Sequence, residues 1–250
     1  MNSVNADNNH DKTVLITGAT SGIGSEVAIR FAKEGWNIIC HYYSAEKRAK
    51  ELRKVIKNHN VNYHGIKADF SSNDHIQDFV NKLEKFSIDA IFNNAGTYVV
   101  NKYFSELTID EISETFMVNI IAPMMITGRL FIGMKERRFG RIVNISSIAA
   151  KYGGSGYSMH YGCSKRALEG LTKTLAQEGA EYNILANTIR PGVIDTDFHK
   201  KFPKDMKKRI ELIPLKKMGS PDDIAEIAYY LGSGKNNFIT NEIISISGGE

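Results

Sequence analysis

The sequence predicts an α/β domain built on one doubly wound parallel sheet, with about seven strands and helices on both faces. Two observations support this prediction. Apolar runs rich in β-branched residues alternate with amphipathic or charged helical stretches along the whole chain. A glycine-rich turn follows the first apolar run and leads into the first helical stretch. Such alternation favours right-handed crossovers, and ligands are expected beyond the carboxyl ends of the strands.

The first half of the chain supplies four strands, each followed by a helical stretch. The strands are short apolar runs, many of them β-branched: TVLIT at 13–17, NIIC at 37–40, NYHGIKA at 62–68 and IDAIFN at 88–93. The stretches that follow them carry apolar residues at helical spacing, at 23–33, 45–57, 73–86 and about 108–136.

The second half repeats the pattern. RIVNIS at 141–146 and NILANTI at 183–189 are predicted strands, and the apolar positions of 157–179 recur between them at helical spacing. A last helix, in PLKKMGSPDDIAEIAYYLGS, precedes the seventh strand, IISIS at 243–247.

The composition is that of one ordinary globular domain. The chain has 250 residues, 42% apolar and 24% charged, and no linker divides it after a polar tail at 1–11 that we expect to be disordered. A net charge of +4 is too small to indicate nucleic acid. The longest apolar run is too short and interrupted for a membrane span, and the lone Cys40 and Cys163 fit a reduced, cytoplasmic protein.

The turn after the first strand is predicted to hold a phosphate group. Gly18, Gly22 and Gly24 in TGATSGIG have the spacing G-x-x-x-G-x-G between a strand and a helix. Glycines at such a turn let the backbone approach a pyrophosphate, whose charge meets the free N–H groups and the dipole of the helix. A dinucleotide cofactor is therefore expected here.

The end of the second strand favours NADP(H), with NAD(H) as the alternative. A free ribose 2′-hydroxyl is usually held by an acid at this point, but CHYYSA has none, and Glu46 is followed by Lys47 and Arg48. These cations suit a 2′-phosphate, although they would serve equally well on a solvated helix face. The direct contacts predicted here are His41, Tyr42 and Ser44.

Six motifs together give the chain a family resemblance. TGATSGIG is followed by NNAG (93–96), VN (118–119), NISS (144–147), YGCSK (161–165) and RPGVIDT (190–196). In this order and spacing they resemble the short-chain dehydrogenases/reductases, above all the subgroup of the 3-oxoacyl-(acyl-carrier-protein) reductases. The resemblance implies that residues 12–250 form one Rossmann-fold catalytic domain that interconverts a carbonyl and a secondary alcohol.

Tyr161 and Lys165 are the candidate proton donor and its partner. Four residues apart in a stretch of helical periodicity, they are expected on one face of a helix. The same spacing from Tyr43, Tyr63 and Tyr98 falls in strands or loops, where such residues need not face each other. A phenol of pKa about 10 must be brought to about 7 for proton transfer at neutral pH, and a nearby ammonium favours the tyrosinate.

The resemblance assigns the remaining catalytic roles. Ser147 would donate a hydrogen bond to the substrate oxygen, and the glycine-rich KYGGSG can return the chain to Tyr161. In the family, Lys165 also holds the nicotinamide ribose, and Asn119 holds a water that links this lysine to solvent. As an alternative, Asn119 would simply bond a backbone group.

Cofactor contacts are likewise implied at positions that match the family motifs. They fall in the first loop, at the adenine, at the adenosine ribose and at the nicotinamide. These positions are Gly18, Thr20, Ser21, Gly22, Ile23 and Gly24; Asp69 and Phe70; Asn93, Ala95 and Gly96; and Tyr161, Lys165, Pro191, Gly192, Val193, Ile194 and Thr196.

The predicted substrates are 3-oxoacyl thioesters. The segment after Thr196 carries eight basic and three acidic residues, which suits an anionic substrate such as an acyl carrier protein or a coenzyme A thioester, if it is not merely a solvated face. Arg137 and Arg138 resemble the basic patch that docks acyl carrier protein, but Tyr182 stands where a second arginine is common. A sugar, polyol or other small ketone is the alternative, and a catalytically silent nucleotide sensor is an alternative of another class.

Two further expectations concern assembly and metal. The last helix and strand resemble those that pack this subgroup into homotetramers, with a homodimer as the smaller option. The seven histidines have no metal-ligand spacing, so no metal site is predicted, and His160 is expected at a solvent or interface position.

Overall fold

The computed structural model of the protein describes residues 12–200 and 205–250, so the predicted tail at 1–11 lies outside it. Within the described residues, seven parallel strands form one sheet in the order β3-β2-β1-β4-β5-β6-β7, which confirms the predicted fold class. The strands are β1 (Thr13–Ile16), β2 (Asn37–Tyr42), β3 (Tyr63–Lys67), β4 (Ala90–Asn93), β5 (Gly140–Ile145), β6 (Ile184–Pro191) and β7 (Ile243–Ile246).

Nine α-helices connect and flank these strands in the described part of the chain. They are α1 (Gly22–Lys33), α2 (Glu46–Lys57), α3 (Asn73–Leu83), α4 (Ile109–Phe116), α5 (Ala122–Arg137), α6 (Ile148–Tyr152), α7 (Met159–Gly179), α8 (Met206–Glu211) and α9 (Pro221–Gly232). The predicted helices are therefore present, and most of their observed ends differ from the predicted ends by only a few residues. The short α6 was not predicted; it ends at Gly153, whose φ of 76° lies in the left-handed region.

The long helix predicted at 108–136 is divided by a π-helical turn. A capping box at Thr108 and Glu111 starts α4, and Met117–Ile121 form the π turn before α5 begins. Single π turns inside α-helices occur frequently at functional sites. This turn carries Asn119, one of the predicted site residues.

Each face of the sheet has its own hydrophobic core, which confirms that helices cover both sides. On one face, α1 and α9 meet at Phe31, whose ring packs edge-on against Trp36 and Tyr229 at centroid distances of 5.2 and 5.1 Å. On the other face, α3, α5 and α7 bury apolar residues that include Phe79, Ile126 and Leu175. The inner strands, β1, β2, β4, β5 and β6, are covered on both sides, and this explains why their sequences are largely apolar.

One helical stretch, Ile109–Arg137, is long and apolar enough to cross a membrane by length and composition; it is the single such stretch among the residues described. Its inner side packs into the domain, because Ile126 and Met134 are fully buried in the second core. Its outer side exposes Met124, Met125 and Ile132 to about half of their full area, at 50%, 48% and 53%. This exposed apolar stripe requires an explanation other than the core.

Candidate active site

A cavity of about 960 Å³ opens at the carboxyl ends of the strands, where doubly wound sheets bind their ligands. Its volume lies at the upper end of the range found for ligand sites. The predicted residues that line it are Gly18, Thr20, Ser21, Gly22, Ile23, His41, Ser44, Asp69, Phe70, Ala95, Gly96, Ser147, Tyr161, Lys165, Pro191, Gly192, Val193, Ile194 and Thr196.

The glycine loop forms a tight cradle against two neighbouring segments. Gly18 has a φ of 62°, and a Cβ at this position would lie 2.9 Å from the Cα of Ala95. A Cβ on Gly22 would lie 2.6 Å from Thr196 Cγ2. Ser21 caps α1 by accepting the N–H of Gly24 at 3.2 Å. The N–H groups of Gly22 and Ile23, the first two residues of the helix, have no partner in the helical bonding pattern and are available to a ligand. Backbone N–H groups in such a narrow cradle suit a pyrophosphate.

Gly24 and Asn93, predicted as cofactor contacts, lie outside the lining of the cavity. A Cβ on Gly24 would lie 2.4 Å from the Gly18 carbonyl oxygen, so this glycine is required for packing of the loop. The side chain of Asn93 is buried, and its Nδ2 donates to Thr127 Oγ1 at 2.9 Å and to Asn144 Oδ1 at 2.7 Å. Asn93 therefore ties β4 to β5 and α5 beneath the site.

The neighbouring Asn94, which the sequence reading missed, does line the cavity. Its Nδ2 lies within hydrogen-bond distance of the Thr17 and Gly18 carbonyl oxygens, both at 3.0 Å, and of Ser21 Oγ at 3.1 Å. Asn94 thereby fastens the glycine loop to the end of β4. The one signal in the sequence is the alternation of side chains along a strand. If Asn93 points into the protein, its neighbour Asn94 points the other way.

The contacts predicted at the end of β2 require a correction at Tyr42. Successive side chains of a strand point to opposite faces. His41 and Tyr43 therefore share the cavity side and line the cavity, whereas Tyr42 packs against the core on the other face. The residue that takes the place predicted for Tyr42 is Tyr43, which is 58% exposed.

His41 supports the glycine loop from below. Its Nδ1 accepts the Gly18 N–H at 3.0 Å, and its Nε2 lies 3.1 Å from the Ala68 carbonyl oxygen, so the neutral ring carries its proton on Nε2. The ring is stacked on Phe70 at a centroid distance of 3.8 Å. Burial lowers the pKa of His41 to about 4, although the bond to Ala68 opposes this change. The imidazole is therefore neutral at ordinary pH and links the glycine loop to Ala68 by hydrogen bonds.

Charged groups line the cavity near the ends of β2 and β3. Partial burial raises the pKa of Asp69, but hydrogen bonds from Ser71 and Tyr43 outweigh it and hold the pKa below its ordinary value. Arg48 also lines the cavity and pairs with Asp197 at 2.9 Å, whereas Lys47 lies outside the lining. Of the two cations noted in the sequence, Arg48 alone faces this space.

Ser147 and Tyr161 open onto the same cavity, and the Ser147 hydroxyl lies near enough to the phenol to influence its pKa. Ser147 sits between β5 and α6, where its Oγ accepts the Ala149 N–H at 3.2 Å. Tyr161 lies in the first turns of α7. Burial raises the pKa of Tyr161 above its ordinary value, and the Ser147 hydroxyl opposes this effect only in part. The phenol is therefore protonated at neutral pH.

Lys165 is buried one turn after Tyr161. Its Nζ donates to the Ile145 carbonyl oxygen at 2.8 Å and lies 5.9 Å from the centre of the Tyr161 ring. Burial lowers the pKa of Lys165 to about 8. The expectation that Lys165 brings the pKa of the phenol down toward 7 does not hold in this structure. The amine titrates first, so its charge is gone before the phenol ionises.

Asn119 lies beneath the cavity on the π turn rather than in its wall. Its Nδ2 donates to the Thr97 carbonyl oxygen and to Ser164 Oγ, both at 2.9 Å, and its Oδ1 accepts the Thr97 N–H at 2.8 Å. These bonds fix the loop after β4 to the residue that precedes Lys165. The Asn119 side chain therefore bonds backbone groups of Thr97, which is the arrangement described by the alternative in the sequence analysis.

Aromatic rings that the sequence analysis did not place in the site lie close to Tyr161, the candidate proton donor. Tyr98 lies edge-on to Tyr161 at 5.7 Å, and Phe198 lies on the Tyr161 ring at 6.1 Å. Tyr98 is fixed in place, because its hydroxyl donates to the Tyr157 carbonyl oxygen at 2.6 Å and lies 2.7 Å from Asn101 Oδ1. With Tyr152, these rings give part of the cavity an apolar wall.

The structure also gives the positions of His160 and of the two arginines that resemble a carrier-protein docking patch. His160 is 2% exposed and stacked on Tyr98 at 5.4 Å, so the expected solvent or interface position is wrong; its side of α7 faces the domain. Arg137 and Arg138 precede β5 and therefore lie at the amino edge of the sheet, opposite the cavity. In the part of the chain that the structure describes, no group of three histidine, cysteine or carboxylate side chains could hold a metal ion.

The geometry defines a nucleotide-dependent oxidoreductase, and comparisons with known proteins identify its family. Residues 12–207 match the family model of the short chain dehydrogenases. The chain is 32% identical to a 3-oxoacyl-(acyl-carrier-protein) reductase of Aquifex aeolicus over 95% of this chain and 96% of that protein. It is 33% identical to an acetoacetyl-CoA reductase of Shinella zoogloeoides over 96% and 98% of the two chains.

A solved structure agrees with this result. A blue fluorescent protein from a metagenomic library, in complex with NADPH, is 27% identical, with a TM-score of 0.88 and coverage of 97% and 99% of the two chains. The protein belongs to the short-chain dehydrogenase/reductase family, as its motifs indicated.

The support that His41 gives to the glycine loop predicts a loss of stability in acid. Because its folded pKa of about 4 lies below the ordinary value of 6.5, the unfolded chain binds a proton that the folded chain does not. The free energy of unfolding should therefore fall as the pH drops from about 6.5 to about 4, by up to about 3 kcal/mol from this residue.

Urea unfolding at a series of pH values measures this slope. His41→Gln should flatten it in that window, and His75→Gln, which removes an exposed imidazole, serves as the control. An unchanged slope in His41→Gln would contradict the role assigned to the ring.

Proposed function

We propose that the protein is an NADP-preferring reductase of 3-oxoacyl thioesters. The observation that carries the proposal is that Ser147, Tyr161 and the buried Lys165 all line the cavity that holds the glycine cradle. The similarity to a 3-oxoacyl-(acyl-carrier-protein) reductase and to an acetoacetyl-CoA reductase over almost the whole chain supports the substrate class.

The lining of the cavity fits a dinucleotide. The cradle at Gly18 and Gly22, which a Cβ would fill, suits the pyrophosphate, and Asp69 suits the adenine. Arg48 suits a 2′-phosphate, and the loop from Pro191 to Thr196 suits the nicotinamide. When bound, NADPH supplies the hydride for the carbonyl carbon.

The protein's own residues supply the proton and the orientation. A substrate oxygen that is within reach of both hydroxyl groups accepts the proton of Tyr161 and a hydrogen bond from Ser147. The raised pKa of Tyr161 keeps that proton available at neutral pH. The buried ammonium of Lys165 then stabilises the tyrosinate that remains.

The apolar wall beside Tyr161 suits an acyl chain. Tyr98 and Phe198 lie within about 6 Å of the phenol ring, so the groups attached to the substrate carbonyl would contact them. Arg209 lines the cavity as a further cation and pairs with Glu250 at 2.5 Å. This combination fits a substrate with an apolar acyl group and an anionic carrier, such as a coenzyme A or acyl-carrier-protein thioester.

Replacing Tyr161 by Phe should abolish reduction while the cofactor still binds. General acid catalysis contributes about 10²- to 10⁴-fold, so kcat with acetoacetyl-CoA and NADPH should fall by at least about 100-fold. Tyr157→Phe is the matched control, because that ring is 54% exposed and packs on Tyr103. NADPH oxidation followed at 340 nm over a panel of ketones and thioesters, together with cofactor titration, measures both effects.

Three outcomes of this assay would alter the proposal. Equal turnover in Tyr161→Phe and wild type would remove the tyrosine from the reaction. Turnover of sugars or small ketones alone would replace the substrate class. Cofactor binding with no turnover of any carbonyl would favour a nucleotide sensor.

Arg48 should set the preference for NADPH. A hydrogen bond to a charged group is worth about 1.5 kcal/mol at the lower end, so Arg48→Leu should weaken NADPH binding about tenfold and leave NADH binding unchanged. Arg53→Leu, an exposed site on the same helix, is the control. Cofactor affinities from fluorescence titration would contradict the preference if wild type bound NADH more tightly, or if both cofactors weakened equally.

We further propose that the protein is cytoplasmic and forms a homotetramer, with the apolar stripe of α5 packed against a second copy. Ile121, Met124, Met125 and Ile132 are spaced along one helix face and are 40–53% exposed. A Cβ on Gly128 in the same face would have no neighbour within 4 Å, so another helix could approach closely here.

Met125→Asp should therefore dissociate the assembly. A charge buried at an apolar interface without a partner is strongly unfavourable. Light scattering coupled to size exclusion should show a smaller particle for Met125→Asp and no change for Val55→Asp, which alters an exposed apolar residue on α2. A monomeric wild type would rule out the assembly.

A further inference from the structure

The carboxylate of Glu169 is buried at the junction of α7, β5 and β6, and its side chain is 3% exposed. Arg190 binds it with two parallel hydrogen bonds, from Nε to Oε1 at 2.9 Å and from Nη2 to Oε2 at 2.8 Å. Ser146 Oγ donates to Oε1 at 2.7 Å. At the rim, the exposed Arg166 adds a bond to Oε2 at 2.9 Å. Every lone pair that faces the interior is therefore occupied.

Each partner of Glu169 directly adjoins a segment of the active site. Ser146 immediately precedes Ser147, and Arg190 immediately precedes the loop that begins at Pro191. Glu169 itself lies one helical turn after Lys165 on α7. Ser146 Oγ also lies 3.3 Å from the Lys165 carbonyl oxygen. One carboxylate thus joins the three segments that carry the serine, the lysine and the nicotinamide loop.

Stability alone does not account for such a pair. The desolvation of two buried charges offsets much of their attraction, and apolar side chains of similar volume often replace buried pairs without loss. A bidentate carboxylate–guanidinium pair differs from apolar packing in its fixed angle and distance. Burial raises the pKa of Glu169, but the bonds from Arg190 and Ser146 outweigh it, so the pKa stays below its ordinary value and the pair remains ionised.

We propose that Glu169 is a positioning residue, which acts through Arg190 and Ser146 to set the placement of Ser147 and of the Pro191 loop relative to Lys165. This inference rests on the proposed reductase function. Glu169→Gln keeps the shape of the side chain but turns an amide N–H₂ or an uncharged oxygen toward the guanidinium. Arg190 and the loop after it then lose their fixed position.

The experiment compares Glu169→Gln and Arg190→Lys with the control Arg166→Ala, in the full-length protein with acetoacetyl-CoA and NADPH. A misplacement of about 1 Å can cost about 100-fold in rate, so kcat per cofactor-binding site should fall about 30- to 100-fold in both test variants. KM for the thioester should stay within about threefold, and Arg166→Ala should stay within about twofold in kcat. Arg190→Lys keeps the positive charge but cannot make the two parallel hydrogen bonds. A fall in kcat in this variant would therefore show that the geometry of the pair matters and not only its charge.

Normalisation to cofactor-binding sites distinguishes positioning from folding. If kcat per site in Glu169→Gln stays within threefold of wild type, the carboxylate is only structural and the proposal is overturned. If Glu169→Gln does not fold, Arg190→Lys decides by the same criterion, and failure of both variants to fold also overturns the proposal. A wild type without turnover on any thioester or ketone would refute the proposed function instead.

Discussion

The structure depends most on how α7 is held across β5 and β6. This contact is polar and buried, and it forms three successive layers along one face of the helix. Thr172 lies between Asn144 and Thr188, at 2.8 and 2.6 Å. One turn nearer the site, Glu169 joins Ser146 and Arg190, and at the cavity Lys165 donates to the Ile145 carbonyl oxygen. Buried polar groups that are all satisfied specify one arrangement, because a slip of the helix would leave each of them unpaired.

A second constraint acts at the glycine loop. There Gly18 lies against Ala95 and Gly22 lies against Thr196, too closely for ordinary side chains. Gly18 has no room for a Cβ against Ala95, and Asn94 and His41 hold the glycine loop from two sides. These bonds end on backbone groups of the loop, and Asn94 Nδ2 also lies within hydrogen-bond distance of the Ser21 side chain. The loop is therefore shaped by its neighbours before any phosphate arrives, which lowers the ordering cost of binding.

Sequence reasoning recovered the sheet, its flanking helices and most of the residues that line the cavity, because period and motif order determine these features. It failed where the outcome depended on which way a single side chain points. Tyr42 and Asn93 were placed in the cavity, but strand alternation gives those positions to Tyr43 and Asn94. His160 was expected near solvent, but it is buried against Tyr98. The two residues are far apart in the sequence, so no local pattern could show this contact. The aromatic wall formed by Tyr98 and Phe198 depends on segments between the main helices and strands, which no periodic pattern specifies.

The most instructive discrepancy concerns Lys165. At equilibrium the amine, with a pKa of about 8, loses its proton before the phenol does, so it cannot assist that titration. In the proposed reduction near neutral pH the order is different, since Tyr161 would give up its proton while the amine is still charged. At about 6 Å and an effective dielectric constant of about 20, an ammonium stabilises a tyrosinate by about 3 kcal/mol. That stabilisation is absent while the phenol is neutral and appears only as the proton leaves. An interaction that strengthens in this way lowers the barrier rather than the ground state, and this is what catalysis requires.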